Sequence, residues 1–453
     1  MGENSKGQVS YYLLVFFIFI VFFSGIINIP LSSSNASTYL IDAMIFLMIF
    51  SYIIYSFKSK QVIVNNFNTI YLCLLIIYLA MFLWGNESIF TKILSLRDKI
   101  LYVFVALFIF RFIKSSFQVD KLLRIVYLLG FIFSVFGIFQ FIFRDVLPVW
   151  LLTPNNIDLF GFYGTDIIRS TGLLGNTIIY GNIMLLFLSI FINKSISSLK
   201  VKDIMFSAIV LISIFTTFSR TAIVGAFIVL LLSMSRIIKD SITRNATKGK
   251  ILFLFFGFIS AIIIALVIIF NSSLNNSIKN SFIYSGLFSQ NNASVQNSTE
   301  MHKNFITDAI VLLKEHMWFG LGIGSQRHGS LYSMSNVFIT DSAFFATLTE
   351  LGIILFIIYS AFIVLSMYYA FKVRAIKEYR YLANGFLIFS LYEYSFANIV
   401  NSSYFGKVFY LLYWMLFGFI LTIYHINFKT NKQEYILTSN QSKIHMRDNP
   451  IAT

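Results

Sequence analysis

Three arginines interrupt otherwise apolar or glycine-rich runs of this 453-residue chain. Arg169 precedes TGLLGNTIIYGN, Arg220 sits inside FSRTAIVG, and Arg327 follows WFGLGIGSQ. A guanidinium group binds phosphate oxygens two at a time and stays charged at any accessible pH. Three of them on one side of a bilayer could therefore clamp a phosphate or diphosphate, while the plainer role for each is surface charge or lipid-headgroup contact. Arg220 is the most demanding case, because a charge confined to a tight turn below the membrane surface needs a partner or an anionic ligand. Asp341 opens the run from 342 to 356. A carboxylate there could take a proton from a hydroxyl, or it could cap the helix that follows. Glu350 lies nine residues further on, about 13 Å deeper along a helix, and calls for a partner such as an arginine or a water-filled cavity. His302 is a second candidate base. His302 and His316 share a helix face, but no third ligand accompanies them as a zinc site would require.

The elements that must position these groups are membrane helices. The chain is 58% hydrophobic and only 12% charged, and its apolar runs are apolar on all sides, which a bilayer can accommodate and a water-soluble core cannot. The short alternating segments of a transmembrane barrel are absent from the sequence. The formal charge of +15 does not point to nucleic acid, because the basic residues alternate with apolar runs. Cys73 is the single cysteine, so neither an internal disulfide nor a Cys/His metal spacing is expected. The sequence carries no phosphate-binding Walker loop, the GLGIG run lacks the strand–turn–helix context of a dinucleotide site, and no Asp-x-Asp pair occurs. No cofactor and no metal are expected.

The hydropathy pattern predicts an all-α polytopic membrane protein with about twelve transmembrane helices and a large extracytoplasmic loop. The spans fall near 11–29, 39–57, 66–84, 99–113, 122–143, 171–193, 204–218, 221–235, 251–270, 343–371, 381–400 and 408–426. Spans one to nine fill 1–270, the loop with an amphipathic helix fills 271–342, spans ten to twelve fill 343–427, and 428–453 form a cytoplasmic tail. With the N-terminus inside, 23 of the 34 Lys and Arg fall on inner segments. That bias predicts both termini in the cytoplasm. The run 203–235 tests the arrangement. As one helix it would be about 50 Å long, against a hydrocarbon core of about 30 Å, so a hairpin with Arg220 at its outward apex is expected.

The loop has two parts. Between 271 and 300, 15 of 30 residues are Asn or Ser, a flexible polar composition. Between 299 and 317, Phe305, Ile306, Ala309, Ile310 and Leu313 recur at helical spacing and predict an amphipathic helix. In GLGIG, Gly320, Gly322 and Gly324 alternate and predict a tight turn or close backbone approach rather than a helix. Asp42 and Glu393 lie inside spans near their outer ends and keep an ion-coupled transporter open as an alternative.

RSTGLLGN from Arg169, FSRTAIVG around Arg220, EHMWFGLGIGS from Glu315 and TDSAFFATLTELGI from Thr340, in that order with a large outer loop between the second and third, resemble the O-antigen polymerase and O-antigen ligase superfamily of bacterial envelope polysaccharide enzymes. The resemblance covers about 169–355. It implies a metal-independent glycosyltransferase of the bacterial cytoplasmic (inner) membrane that polymerises undecaprenyl-diphosphate-linked oligosaccharide repeat units on the extracytoplasmic face. A chain-length regulator is an implied partner. Carried onto this chain, it makes Arg169 and Arg220 the groups that bind the polyprenyl diphosphate and Arg327 a third, with His302 and Glu350 as further substrate contacts and Asp341 as the base. The ligases carry a His-Asn type pair where this chain has Asp341-Ser342, which favours the polymerase over the ligase. A lipid-linked oligosaccharide flippase is the rival of a different class.

Overall fold

The computed structural model describes residues 2–28, 36–59, 66–83, 85, 87–144, 146–148, 151, 161–162, 165–244, 304, 306–327, 342–400 and 406–447. The ninth expected span, the Asn/Ser-rich part of the loop, His302, His328 and Asp341 lie outside the described residues. The regular elements of the remainder are helices apart from one small ribbon. In chain order the helices are α1 (Gly2–Phe22), α2 (Ser24–Asn28), α3 (Ala36–Ser59), α4 (Asn66–Met81), α5 (Ile89–Lys99), α6 (Phe104–Phe112), α7 (Ser116–Ile142), α8 (Thr177–Ser198), α9 (Val201–Thr216), α10 (Arg220–Arg244), α11 (306–315), α12 (Ala343–Val373), α13 (Arg380–Tyr392) and α14 (Lys407–Arg447). The ribbon pairs β1 (Gly161–Phe162) with β2 (Thr165–Ile168), antiparallel, with Gly161 opposite Ile168.

Among the described residues five helices are long and apolar enough to cross a membrane: 36–57, 116–142, 177–198, 343–373 and 407–428. Three more, Gln8–Phe22, Phe67–Met81 and Arg220–Ser235, are apolar but shorter. The expected fourth span, 99–113, is covered by two short elements rather than one long helix. A turn of 3₁₀ helix, Leu101–Val103, leads into α6, which has only nine residues, all of them buried. Such a helix is about 13 Å long, under half the hydrocarbon thickness. Its apolar residues are buried among other helices.

The expected hairpin is present. α9 ends at Thr216, the chain turns through Thr217–Ser219, and α10 starts at Arg220. Phe218 takes the left-handed conformation that the tight reversal needs, with φ 49°. Both arms pack on α8, which also carries α13. α8 and the first half of α14 form the centre, with Trp414, Tyr413, Phe187 and Tyr180 almost wholly enclosed.

Side-chain contacts fix the helix directions. α6 runs alongside α14 in the same sense: Tyr410 donates to the Lys99 carbonyl at 2.7 Å, and the rings of Phe110 and His425 meet at 5.2 Å. α7 opposes α8, with Tyr180 donating to the Phe133 carbonyl at 2.8 Å and Tyr127 packed on Phe191. At one end of the bundle the start of α3 meets the start of α14 through Lys407 and Thr38. At the same end Tyr392, closing α13, donates to the Thr221 carbonyl at the start of α10. Ser342, capping α12, donates to the Asn398 carbonyl at 3.2 Å. This end carries the described candidate residues.

Candidate functional site

Two clusters make up the site end. The first is built on the α9–α10 turn. Arg169 follows β2 and its Nε donates to the Thr217 carbonyl at 2.9 Å. The Ser170 amide donates to the Thr216 carbonyl at 3.0 Å, so the segment after β2 is stitched along the turn that leads into Arg220. Gln140, near the end of α7 and 1% exposed, anchors the same segment. Its Oε1 accepts the Thr171 amide at 2.8 Å and the Ser170 hydroxyl at 3.3 Å, and its Nε2 donates to the Leu151 carbonyl at 2.7 Å. Arg220 is the first residue of α10, where the unsatisfied amides of a helix start already carry partial positive charge. A cationic side chain at that position adds to a field that favours an anion. Arg169 and Arg220, distant in the loops of the sequence, thus share one turn.

The second cluster is built on α5, whose amphipathicity is reversed. Ser88 caps it by accepting the Thr91 amide at 3.1 Å. Lys92, Ser95 and Lys99, at i, i+3 and i+7, are buried, while Ile89 and Phe90 are 73% and 69% exposed. A helix with its polar stripe inward and its apolar stripe outward suits a place where the outside is lipid and the inside must bind charge. Lys92 donates to the carbonyls of Phe82 and Gly85 at 3.0 and 2.9 Å. Lys99 donates to Glu350 Oε2 at 2.6 Å, and Ser95 donates to Glu350 Oε1 at 2.9 Å. Arg97 bridges Asp42, at 2.9 Å, and Asp98, at 2.8 Å. Tyr102 donates to the other oxygen of Asp42 at 3.1 Å, and Arg327 pairs with Asp98. Burial alone pulls the Arg97 pKa down, but Asp98, Tyr102 and Asp42 outweigh it and hold it above its ordinary value. Arg97 therefore stays charged throughout the physiological range.

The glycine run joins this cluster to α12. Gly320, Gly322 and Gly324 all have positive φ, at 67°, 98° and 86°, as their alternation predicted. The reason is a break in α12 at Gly352, with φ 70° and ψ 173°. The break frees the carbonyls of Thr349 and Glu350, and the amides of Leu321 and Gly322 take them at 2.9 and 3.1 Å. A Cβ on Gly320 would lie 2.4 Å from the Glu350 carbonyl oxygen, so the two backbones approach as closely as glycine permits. The expected amphipathic helix is α11. It buries Ala309 and Leu312 against Ala346, whereas Ile310, assigned to its apolar face, is 47% exposed.

The sequence reading and the structure meet unevenly. Arg169 bonds to the turn that leads into Arg220, and Arg327 is held in the other cluster. Glu350 is 2% exposed, and its carboxylate takes a lysine rather than the anticipated arginine. Its two oxygens accept from Lys99, Ser95 and the Gly324 amide, the last at 2.9 Å, which places it as an internal tie rather than a substrate contact. Asp42 serves Arg97 and Tyr102, and Glu393 is fully enclosed in a π-helical turn, Glu393–Ala397, after α13. His316 is exposed at the end of α11. Among the described residues no group of three or more His, Cys, Asp or Glu is placed to hold a metal. Ser95, Arg97 and Asp98 went unnoticed because the segment reads as a loop between spans, and Lys99 reads only as the edge of the expected fourth span. The signal available was the polar spacing 92, 95, 99 set against apolar 89, 90, 93.

These helices and this polar end describe a multi-pass α-helical membrane protein. Residues 205–360, roughly a third of the chain, match a family model described as O-antigen ligase. The match supports the O-antigen polymerase and ligase superfamily and encloses three of the four motifs that carry the resemblance, with Arg169 lying before it. No curated protein matches the sequence.

Proposed function

We propose that the protein is a glycosyltransferase of envelope polysaccharide assembly that joins lipid-linked oligosaccharide repeat units, with the site end of the bundle facing away from the cytoplasm. The donor is a growing glycan on undecaprenyl diphosphate, and the acceptor is one lipid-linked repeat unit. A hydroxyl of the acceptor attacks the anomeric carbon of the donor, the bond from that carbon to the diphosphate oxygen breaks, and undecaprenyl diphosphate leaves with the electron pair. Arg169 and Arg220 stabilise the charge that develops on the diphosphate. Arg327 contributes from the second cluster. Asp341, adjacent to the α12 cap Ser342, takes the proton of the attacking hydroxyl, with His302 as the other candidate. The lipid diphosphate is already an activated leaving group, so the scheme calls for no nucleotide. The domain order expected from the sequence, nine spans, the outer loop from 271 to 342, three spans and the tail, belongs to the same proposal.

The observation that carries this reading is the bond from Arg169 to the Thr217 carbonyl, which sets two arginines from separate segments on the turn where a helix begins. The experiment is Arg220→Ala, expressed at the normal level. Loss of one group that stabilises a developing charge lowers turnover by about a hundredfold or more, and long-chain polysaccharide disappears. Undiminished polymer removes the leaving-group role.

The ligase reading is favoured by one observation, the description of the matching family. Deleting the gene separates the two. Loss of a polymerase leaves single repeat units attached to the final acceptor, and loss of a ligase leaves none.

A further inference from the structure

The Glu350 cluster joins three separate pieces of chain around one carboxylate. Lys99 and Ser95 come from α5, the Gly324 amide from the glycine run, and Glu350 itself from the short half of α12 that precedes the Gly352 break. Three residues beyond Gly324 is Arg327, and one residue before Lys99 is its partner Asp98. Eight residues before Glu350 is Ser342, beside Asp341. One buried carboxylate therefore ties the first half of α12 to α5 and to the loop that carries the third candidate cation. The backbone alone does not make this junction secure, because the amides of Leu321 and Gly322 bond to a stretch of α12 that is itself interrupted at Gly352.

We infer that Glu350 and Lys99 form a positioning latch, which hangs the Arg327 loop and the N-terminal half of α12 from α5 and so sets the second half of the reaction site against the Arg169–Arg220 turn. Glu350 is a positioning residue and touches no substrate. Its oxygens already accept three hydrogen bonds, and the side chain is enclosed. The same reasoning assigns Ser95 and Lys99, which no motif of the sequence singles out, to the reaction machinery as supports. The apolar outward face of α5 keeps this latch at the lipid boundary, where a salt bridge is shielded from water and ions.

Two measurements test it, one independent of catalysis. In purified protein, Glu350→Gln removes the charge and the Lys99 pair. Hydrogen exchange in residues 306–327 and 342–351 then rises about tenfold or more, while exchange in α8 stays as it was. Unchanged exchange in the loop, or an equal rise in α8, overturns the latch. Should Glu350→Gln not reach the membrane, Ser95→Ala removes one of the three bonds and raises exchange of the same segments about threefold; no rise overturns the proposal as well. The second measurement is kinetic, and it alone rests on the proposed function. Glu350→Gln lowers kcat with KM for the lipid-linked glycan within about twofold of its original value. Arg327→Ala adds little to Glu350→Gln, whereas Arg220→Ala multiplies with it. A raised KM with kcat intact means that Glu350 contacts substrate, and the latch is wrong. If the unmodified protein turns over no lipid-linked glycan, the functional reading fails while hydrogen exchange still decides the latch.

Discussion

The Arg169–Arg220 turn and the Arg327 loop share one end of the bundle but are held by different forces. Around the turn, bonds between neutral groups and one from a guanidinium to a carbonyl stitch the segments together: Arg169 to Thr217, Ser170 to Thr216, Thr171 to Gln140. Around the loop they run between opposite charges: Lys99 to Glu350, Arg97 to Asp42 and Asp98, Arg327 to Asp98. The turn also has regular helices behind it, α7, α8 and α9, whereas the loop leans on a helix broken at Gly352. Neutral bonds inside a packed bundle are short-ranged and nearly blind to salt. Ion pairs act over longer distances, weaken with ionic strength where water reaches them, and leave a costly orphan when one partner is lost. A site built half one way and half the other has one fixed wall and one wall whose position depends on charge.

The largest effect should come from the backbone of the second region. Gly352→Ala places a side chain at φ 70° and ψ 173°, a conformation open essentially to glycine alone, and its Cβ falls 2.4 Å from the Gly320 nitrogen and 2.5 Å from the Trp318 carbonyl oxygen. Strain and overlap together cost several kcal/mol. The expected result is loss of the monodisperse protein on gel filtration in detergent, or a melting temperature lowered by many degrees. A variant that melts normally would show that the break in α12 is not needed to seat the glycine run, and the contrast between a broken and an unbroken support would fall.

Next comes the first region. Gln140→Leu removes the carboxamide that accepts the Thr171 amide and donates to the Leu151 carbonyl, and strands a buried amide and a partly buried carbonyl. The cost is about 2–4 kcal/mol. Activity should fall with it, because the segment that carries Arg169 loses its anchor on α7. That fall should be the same at low and high salt. A salt-dependent loss would mean that the turn, too, is held by charge, and the distinction drawn between the two regions would not hold.

Much of this arrangement is legible in the chain. The hairpin at Arg220 follows from length, since the run 203–235 is too long for one crossing. The glycine alternation at 320, 322 and 324 foretells positive φ at each. What the sequence hides is α5. Its segment looks like a loop because its polar residues mark it as water-exposed, yet Lys92, Ser95 and Lys99 point inward, reversing the usual rule. The fourth apolar run is a related case: every residue of α6 is buried, and hydropathy does not distinguish burial in protein from burial in lipid. Glu350 shows the limit most plainly. Its depth in an apolar helix correctly demands a cationic partner, but that partner, Lys99, lies 251 residues away in the chain, and no local spacing could have named it. The pairing of Arg169 with the Arg220 turn is equally long-range, resting on a bond between a side chain and a carbonyl that leaves no trace in residue type.

The smallest effect should be the most discriminating. Arg327 and Asp98 expose 27% and 20% of their side chains, so water and ions reach the pair, and its contribution after screening is about 0.2–1 kcal/mol. Arg327→Lys keeps the charge but loses the fork that can hold Asp98 while offering further donors to a phosphate. Stability should therefore barely change, with the melting temperature within a degree or two. Turnover should fall modestly in low salt, and the unmodified protein should lose a similar increment on raising ionic strength, since both weaken the same contact. Lysine in place of Arg169 removes the Nε–H that reaches the Thr217 carbonyl, and that loss should persist at every salt concentration. If both substitutions respond to salt alike, the two walls are not built differently, and the fixed and charge-set halves of the site merge into one.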